Sequence, residues 1–171
     1  AIVASISLDF GLQPRGTFPV TMGAWEFFIN KWIGTTNTAF NLTTNWTGGR
    51  LPDSGDVLVL DGATVSHCRL DTSRVIGTIY NSTSFNIVTN SYSLTLQDSI
   101  IQTGTGKING SNGTVNFSGT KPLYIPLGTF TSNSVSRLTI NNASGVTLMG
   151  DISVDTLLTL TSGIFTVGAN T

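Results

Sequence analysis

The sequence predicts an all-β protein, and in particular a right-handed parallel β-helix. Three observations support this prediction. Residues 137–171 form a series of short apolar and Thr-rich runs that alternate as strands do, and each run is too short for a helix. The breaks between the runs, such as MGD and TSG, are short and contain a small residue, which suits a chain that turns a corner. Charged residues make up 10% of the chain, so its surface must be built largely from hydroxyl and amide groups.

The alternative fold is a β-sandwich of short strands. A sandwich would show hairpin signals between successive strands, and the Asn-Gly pairs of this chain are confined to the stretch around Asn109-Gly110. In a β-helix each run stacks on the equivalent run one coil later, about 4.8 Å along the axis. At roughly 20 residues per coil, residues 65–171 would form about five coils.

The chain divides into three predicted parts. Residues 1–31 are an N-terminal anchor or cap, residues 32–62 are a Trp-containing module that opens the β-helix, and residues 63–171 are its coils. Residues 2–10 alternate as a strand, whereas residues 24–31 could also form a short helix. The last coil ends without a polar cap, so we expect the solenoid to continue or another subunit to cover it.

Large aromatic residues are concentrated near the N-terminus. We expect them to cap the open end of the solenoid or to form a subunit interface, where large aromatic side chains contribute most of the binding energy. These residues are Trp25, Phe27, Phe28, Trp32 and Trp46. The indole N–H groups of Trp32 and Trp46 are expected to reach backbone carbonyls.

The predicted core consists of alternate residues in the strand runs. It comprises Val57, Val59, Val75, Ile79, Ile87, Leu94, Leu96, Val115, Phe117, Leu138, Ile140, Val146, Leu148, Ile152, Val154, Leu158, Leu160, Phe165 and Val167. Pro122 and Pro126 bracket the run LYI, and because proline cannot donate to a ladder we expect an edge, a bulge or a loop there.

A motif in residues 32–62 resembles a known module. The pattern is W-x-G, a polar stretch, and then N-W-x-x-G-x-x-P-x-x-x-D followed by a Val-rich run. Its matching positions are Trp32, Gly34, Asn45, Trp46, Gly49, Pro52, Asp53, Gly55, Asp56, Val57 and Val59. It resembles the opening of large secreted surface and adhesin-like proteins of bacteria and of some phage structural proteins, such as fibre and decoration proteins. The resemblance implies a right-handed parallel β-helix rich in Thr, Asn and Gly, and an extracellular location on a bacterial or virion surface.

Several classes of function are disfavoured by composition. The net charge is −1 without a basic block, so we expect no nucleic-acid partner. No run approaches the ~20 apolar residues of a membrane span, so we expect no direct membrane insertion. Cys68 is the single cysteine and is expected to be buried.

Candidate catalytic and metal-binding residues are sparse, and we predict neither an enzyme nor a cofactor. His67 is the single histidine, and it lies beside Cys68 on a strand, so the two would face opposite sides and could not share a zinc ion. Asp53, Asp56 and Asp61 are weak calcium candidates, because their spacing matches neither an EF-hand nor the Gly-Gly-x-Gly-x-Asp nonapeptide repeat. Asp151 and Asp155 flank one short run, as they would in an inert β-helix.

The predicted function is that of a structural surface protein: a fibre, decoration or stalk component that docks through its ends onto copies of itself or other subunits. The alternative is an adhesin or receptor-binding module that contacts host or cell-surface glycans. Its candidate contact residues are Tyr80, Tyr92 and Tyr124, because sugar rings stack on aromatic faces. A polysaccharide lyase or hydrolase is a weaker alternative, because paired carboxylates are scarce.

Overall fold

The computed structural model describes residues 29–61 and 66–168. This part of the chain is almost entirely β-structure, with a single turn of 3-10 helix at Thr43–Asn45. The strands are β1 (Ile29–Lys31), β2 (Val57–Leu60), β3 (Cys68–Arg69), β4 (Arg74–Asn81), β5 (Ile87–Val88), β6 (Ser93–Gln102), β7 (Ile108–Gly119), β8 (Leu123–Ile125), β9 (Phe130–Asn142), β10 (Val146–Leu148), β11 (Ser153–Ser162) and β12 (Phe165–Val167).

The strands stack as coils of a parallel β-helix. Leu94 pairs with Val115, Val115 with Leu138, and Leu138 with Leu158, so the same position recurs about once per coil. Every ladder between these strands is parallel. The predicted all-β solenoid is therefore confirmed, and the sandwich alternative is wrong, because sandwich sheets are antiparallel.

Each coil has three faces, which the chain visits in a fixed order. Face 1 has five rungs, which are residues 74–76, 93–96, 114–117, 137–140 and 157–160. Face 2 contains residues 57–60, 78–81, 99–102, 123–125, 146–148 and 165–167. Face 3 contains residues 68–69, 87–88, 108–109 and 130. In the last two coils, residues 134–135 pair with residues 153–154 where the chain passes from face 3 to face 1.

The long strands bend from one face to the next. In β4 the pairing register shifts between Ile76 and Thr78, where Gly77 lies. A side chain at Gly77 would clash with the backbone of Gly55 and Asp56, since an added Cβ would lie 2.7 Å from the Gly55 carbonyl oxygen. Gly77 therefore allows two coils to approach closely at this corner.

The interior is a set of apolar columns that run through successive coils. On face 1, Leu94, Val115 and Leu138 are fully buried, and each of these side chains contributes about 1.5–3 kcal/mol through burial. The buried members of the predicted core are Val59, Ile79, Ile87, Leu94, Leu96, Val115, Phe117, Leu138, Ile140, Val146 and Leu148.

The other predicted core residues are not fully buried, and they form two groups. Val75 is exposed and Val57 is half-buried, because the inward positions belong to Ile76 and Leu58. In each run the two adjacent residues, Val57 and Leu58 or Val75 and Ile76, are both apolar. Alternation alone therefore could not show which of the two points inward. In the last coil, Leu158, Leu160 and Val167 are exposed, and Ile152, Val154 and Phe165 pack only partly against the core.

The two prolines interrupt the stacking on face 2, as predicted. They flank β8, which pairs with β10 but forms no ladder with β6. Face 2 is consequently divided into two sheets, and β8 is the edge of the second one.

Polar side chains bond successive coils in isolated pairs. Asn116 Nδ2 donates to Thr95 Oγ1 at 3.1 Å, and Thr78 Oγ1 lies 3.1 Å from Ser99 Oγ. The fully buried Asn142 amide instead donates to the backbone carbonyl of Lys121. Asparagine in this fold therefore serves mainly to satisfy turning backbone.

Candidate functional site

Three buried aromatic rings fill the N-terminal end of the described β-helix. Trp32 and Trp46 meet edge to face with ring centroids 4.9 Å apart, and Phe40 packs 4.8 Å from Trp46. Trp46 Nε1 donates to the Phe40 carbonyl at 2.8 Å, and Trp32 Nε1 donates to the Ser66 carbonyl at 3.0 Å. This cluster, Trp32, Phe40 and Trp46, is called the aromatic plug below.

The remaining members of the predicted cap are Trp25, Phe27 and Phe28, which lie outside the described residues. The helix considered for residues 24–31 is wrong for its last three residues, because Ile29–Lys31 form β1 and pair with β2. Phe40 was missed by sequence reasoning. Its signal was weak, because a lone Phe in a polar Thr- and Asn-rich stretch is not distinguished by periodicity.

The Asp56 carboxylate organises the turn that opens the β-helix. It accepts hydrogen bonds from Asn30 Nδ2 and from the Asp53 backbone N–H, both at 2.9 Å, and forms an ion pair with Arg50. The Asp56 backbone carbonyl accepts from the N–H groups of Gly77 and Thr78. These contacts bind together strands β1, β2 and β4, so the Asp56 carboxylate stabilises a turn.

Each of the three weak calcium candidates has a protein partner in this geometry. Asp56 is paired with Arg50, Asp61 is paired with Lys31, and Asp53 Oδ1 accepts from the Ser54 backbone N–H. In residues 29–61 and 66–168, no three His, Cys, Asp or Glu side chains form a group that could hold a metal ion.

His67 and Cys68 lie on opposite sides of the chain. The His67 ring is exposed, and its Nδ1 accepts the Asn86 backbone N–H at 2.9 Å. Cys68 is fully buried on face 3, and burial, with a smaller contribution from the Asp71 charge, raises the pKa of its thiol well above the ordinary value. The thiol is therefore poorly suited to act as a nucleophile.

Asp155, near the C-terminal coil, is poorly suited to act as a general acid. Asp155 is exposed and accepts hydrogen bonds from the hydroxyls of Ser134 and Ser153. These bonds lower the pKa of its carboxyl, whereas a glycosidase acid needs a raised pKa.

Two of the three candidate glycan-contact residues share a face. Tyr80 and Tyr124 both point outward on face 2, and Ile101, the register partner of Tyr80, lies on the same face. Tyr124 is 57% exposed and Ile101 is 45% exposed. Tyr92 lies in the turn before β6 and is separate from this row.

The last coil presents its interior to solvent. Leu158 and Leu160 continue the buried columns through their partners Leu138 and Ile140, yet they are 43% and 60% exposed. β11 pairs with β9 and has no second ladder partner among the described residues. This surface, formed by Leu158, Leu160, Phe165 and Val167, is called the open coil below.

Comparison with protein-family models, with curated protein sequences and with solved structures finds no match to this chain. The resemblance of the Trp-containing module to bacterial and phage surface proteins thus stays a prediction. In the described part of the chain, no helix has the length and apolar character needed to cross a membrane.

Proposed function

We propose that this chain is a non-enzymatic structural component of an extracellular or virion-surface assembly, in which a stiff β-solenoid docks through its ends. The continuous stack is the observation that carries the proposal, because face 1 runs through five rungs that are joined by parallel ladders. Stiffness follows from the architecture, since each coil is bonded to its neighbours through backbone ladders and a continuous apolar core.

The sides of the solenoid support the same proposal. The outward row of face 1 contains Thr95, Asn116, Thr139 and Thr159, which are uncharged and partly buried by their neighbours. The ion pair between Lys121 and Asp98 connects two successive coils. Such sides suit a fibre, decoration or stalk whose partners bind at its ends.

Surface labelling tests the location and the assembly. Antibodies against the chain, applied to intact cells or virions of its source and viewed by immunogold electron microscopy, should label repeated positions on the surface. Labelling that appears only after lysis would contradict the proposal. Release of new reducing ends from a polysaccharide panel by the purified chain would contradict its non-enzymatic part.

The second candidate is glycan binding along face 2. Rungs of a β-helix are about 4.8 Å apart, so Tyr80 and Tyr124, two coils apart, are separated by about 10 Å along the axis. That separation is close to the length of two sugar rings in an extended glycan, so both phenol rings could stack on one chain, with Ile101 between them.

Substitution of one tyrosine tests this candidate. On a glycan-array hit, Tyr124→Ala should weaken binding about tenfold, equivalent to about 1.4 kcal/mol, measured by calorimetry. Tyr92→Ala is the matched control, because it removes an exposed tyrosine outside the row and should leave the affinity unchanged. A blank array, or equal losses in both variants, would count against glycan binding.

A further inference from the structure

Two Asn-Gly pairs lie close together in β7, where the chain passes from face 3 to face 1. They are Asn109-Gly110 and Asn112-Gly113. In such a pair the side-chain amide is open to attack by the next backbone nitrogen, because glycine has no side chain to obstruct the approach. The structure gives the two pairs different surroundings.

The first pair, Asn109-Gly110, is held by its neighbours. Asn109 pairs with Val88 in the ladder between β5 and β7, and Gly110 pairs with Val135 in the ladder between β7 and β9. The Asn109 Oδ1 atom accepts from the Ser111 backbone N–H at 3.2 Å and from Ser111 Oγ at 2.8 Å. Because both the backbone and the amide are fixed, the Gly110 nitrogen reaches Asn109 Cγ only after local opening of the coil.

The second pair, Asn112-Gly113, lies in a bulge without these restraints. Residues 111–113 have no register partner, since the pairing of β7 with β9 passes from Gly110 to Thr114 and its pairing with β6 begins at Thr114. The Asn112 side chain is exposed, and no group among the described residues is bonded to its amide. The amide is therefore free to rotate towards the following peptide nitrogen.

Packing at this corner requires the glycine of the second pair. A Cβ atom on Gly113 would lie 2.4 Å from the Tyr92 carbonyl oxygen and 2.5 Å from Thr89 Oγ1, one coil below. The neighbouring Thr114 N–H donates to the same Tyr92 carbonyl at 3.2 Å, which keeps the two coils close. The fold thus places an obligatory glycine directly after an exposed asparagine.

We propose that Asn112 is a site of spontaneous deamidation in the folded protein, whereas Asn109 is protected. The Gly113 backbone nitrogen loses its proton to water and bonds to Asn112 Cγ, and the amide Nδ2 leaves as ammonia. Water then adds to either carbonyl of the resulting succinimide ring and breaks one ring C–N bond, which leaves aspartate or isoaspartate at position 112. Water is the only other reactant, and the modification depends neither on docking nor on glycan binding.

The product adds one negative charge to the side of a solenoid that has few charges. In the isoaspartate form the main chain also gains one carbon between residues 112 and 113. The bulge has no register partner, so the pairs on either side of it, Asn109 with Val88 and Thr114 with Ser93, keep their register. The modified chain should consequently retain its circular dichroism spectrum.

Deamidation rates of the full chain test the proposal. The chain is incubated at mildly alkaline pH, folded or in urea, and is digested with pepsin at low pH, where further deamidation is slow. Tandem mass spectrometry then assigns the exchange of ammonia for water to one asparagine. In the folded chain Asn112 should react at least about tenfold faster than Asn109, equivalent to about 1.4 kcal/mol in the activation barrier. In urea the two rates should converge.

A pair of variants provides a second readout by isoelectric focusing. Asn112→Gln should abolish the acidic species that accumulates in the parent chain, because glutamine would have to close a larger ring. Asn109→Gln is the matched control and should accumulate this species at the parent rate.

Three results would overturn the proposal. The first is equal protection of Asn112 and Asn109 in the folded chain. The second is an unchanged ratio of the two rates in urea, since local sequence and not the fold would then be the cause. The third is an acidic species that forms in Asn112→Gln as quickly as in the parent.

Discussion

Single buried polar side chains hold the turns of this β-helix in place. Asn142 is fully buried, donates through Nδ2 to the Lys121 carbonyl at 2.9 Å, and accepts through Oδ1 from the Ser144 backbone N–H. Asn81 is also buried, and its amide donates to the Phe85 carbonyl. Each amide bonds to backbone groups at a turn, so its removal leaves those groups without this partner.

Asn142→Ala should therefore lower the free energy of unfolding by about 1–3 kcal/mol, the cost of unsatisfied buried groups. Asn141→Ala is the control at the adjacent position, which is exposed, and it should change stability by less than about 0.5 kcal/mol. Urea denaturation measures both. Equal effects at the two positions would show that the buried amide has no special role.

Cys68 makes stability depend on pH in the alkaline range. Its pKa is raised in the folded protein, chiefly by burial, so the folded state keeps the thiol proton where the unfolded state has lost it. Stability should thus be unaffected by this group below the unfolded pKa of about 8.5 and should fall as pH rises above it, by at most about 1.4 kcal/mol per pH unit. Urea titrations across this range should show a smaller decline in Cys68→Ala, and an unchanged decline would contradict the argument.

At the scale of the elements, strand content and coil repeat could be predicted from sequence, but register could not. Short alternating runs and small breaks predicted strands that turn corners. Successive coils on face 1 differ in length, as the pairs Leu94–Val115, Val115–Leu138 and Leu138–Leu158 show, so no fixed period aligns them. Residue type was therefore enough to identify Tyr80 and Tyr124 as candidates. That they share a face follows from the stacking register, which the sequence did not predict.

The aromatic plug was also only partly predictable from the sequence. The motif identified Trp32 and Trp46, but Phe40, which completes the packing, had only a weak sequence signal. The inward residues of β2 were also ambiguous, because Leu58 and Val59 are equally apolar. Inward and outward assignments in such runs are decided by how the coil packs, and sequence alternation carries no information about them.

The plug should be sensitive to the loss of one hydrogen bond. Trp46→Phe keeps an aromatic ring but leaves the Phe40 carbonyl without its donor, so the free energy of unfolding should fall by about 1–3 kcal/mol. Tyr124→Phe, which removes a polar group from an exposed ring, should change it by less than about 0.5 kcal/mol. Thermal unfolding followed by circular dichroism compares the two, and a neutral Trp46→Phe would refute the role given to the indole.

At the scale of the whole molecule, the two ends of the described β-helix differ in how far their apolar side chains are covered. Among the described residues, one end is filled by the aromatic plug, and the other exposes Leu158 and Leu160 on β11, which pairs with β9 alone. Exposed edges of this kind pair with other chains unless they are covered. A stack of coils that is bonded through backbone ladders and a continuous apolar core is suited to a stiff structural role, and this property links the fold to the proposed function.

Hydrogen exchange at the open coil tests this account most directly. Amide exchange of the full chain should be measured by mass spectrometry at low and at high concentration, with β7 in the interior as the internal reference. The account predicts that β11 and β12 exchange rapidly when the chains are dilute and become protected when they are concentrated, while β7 is protected throughout. Rapid exchange of β11 at every concentration would contradict docking through this end.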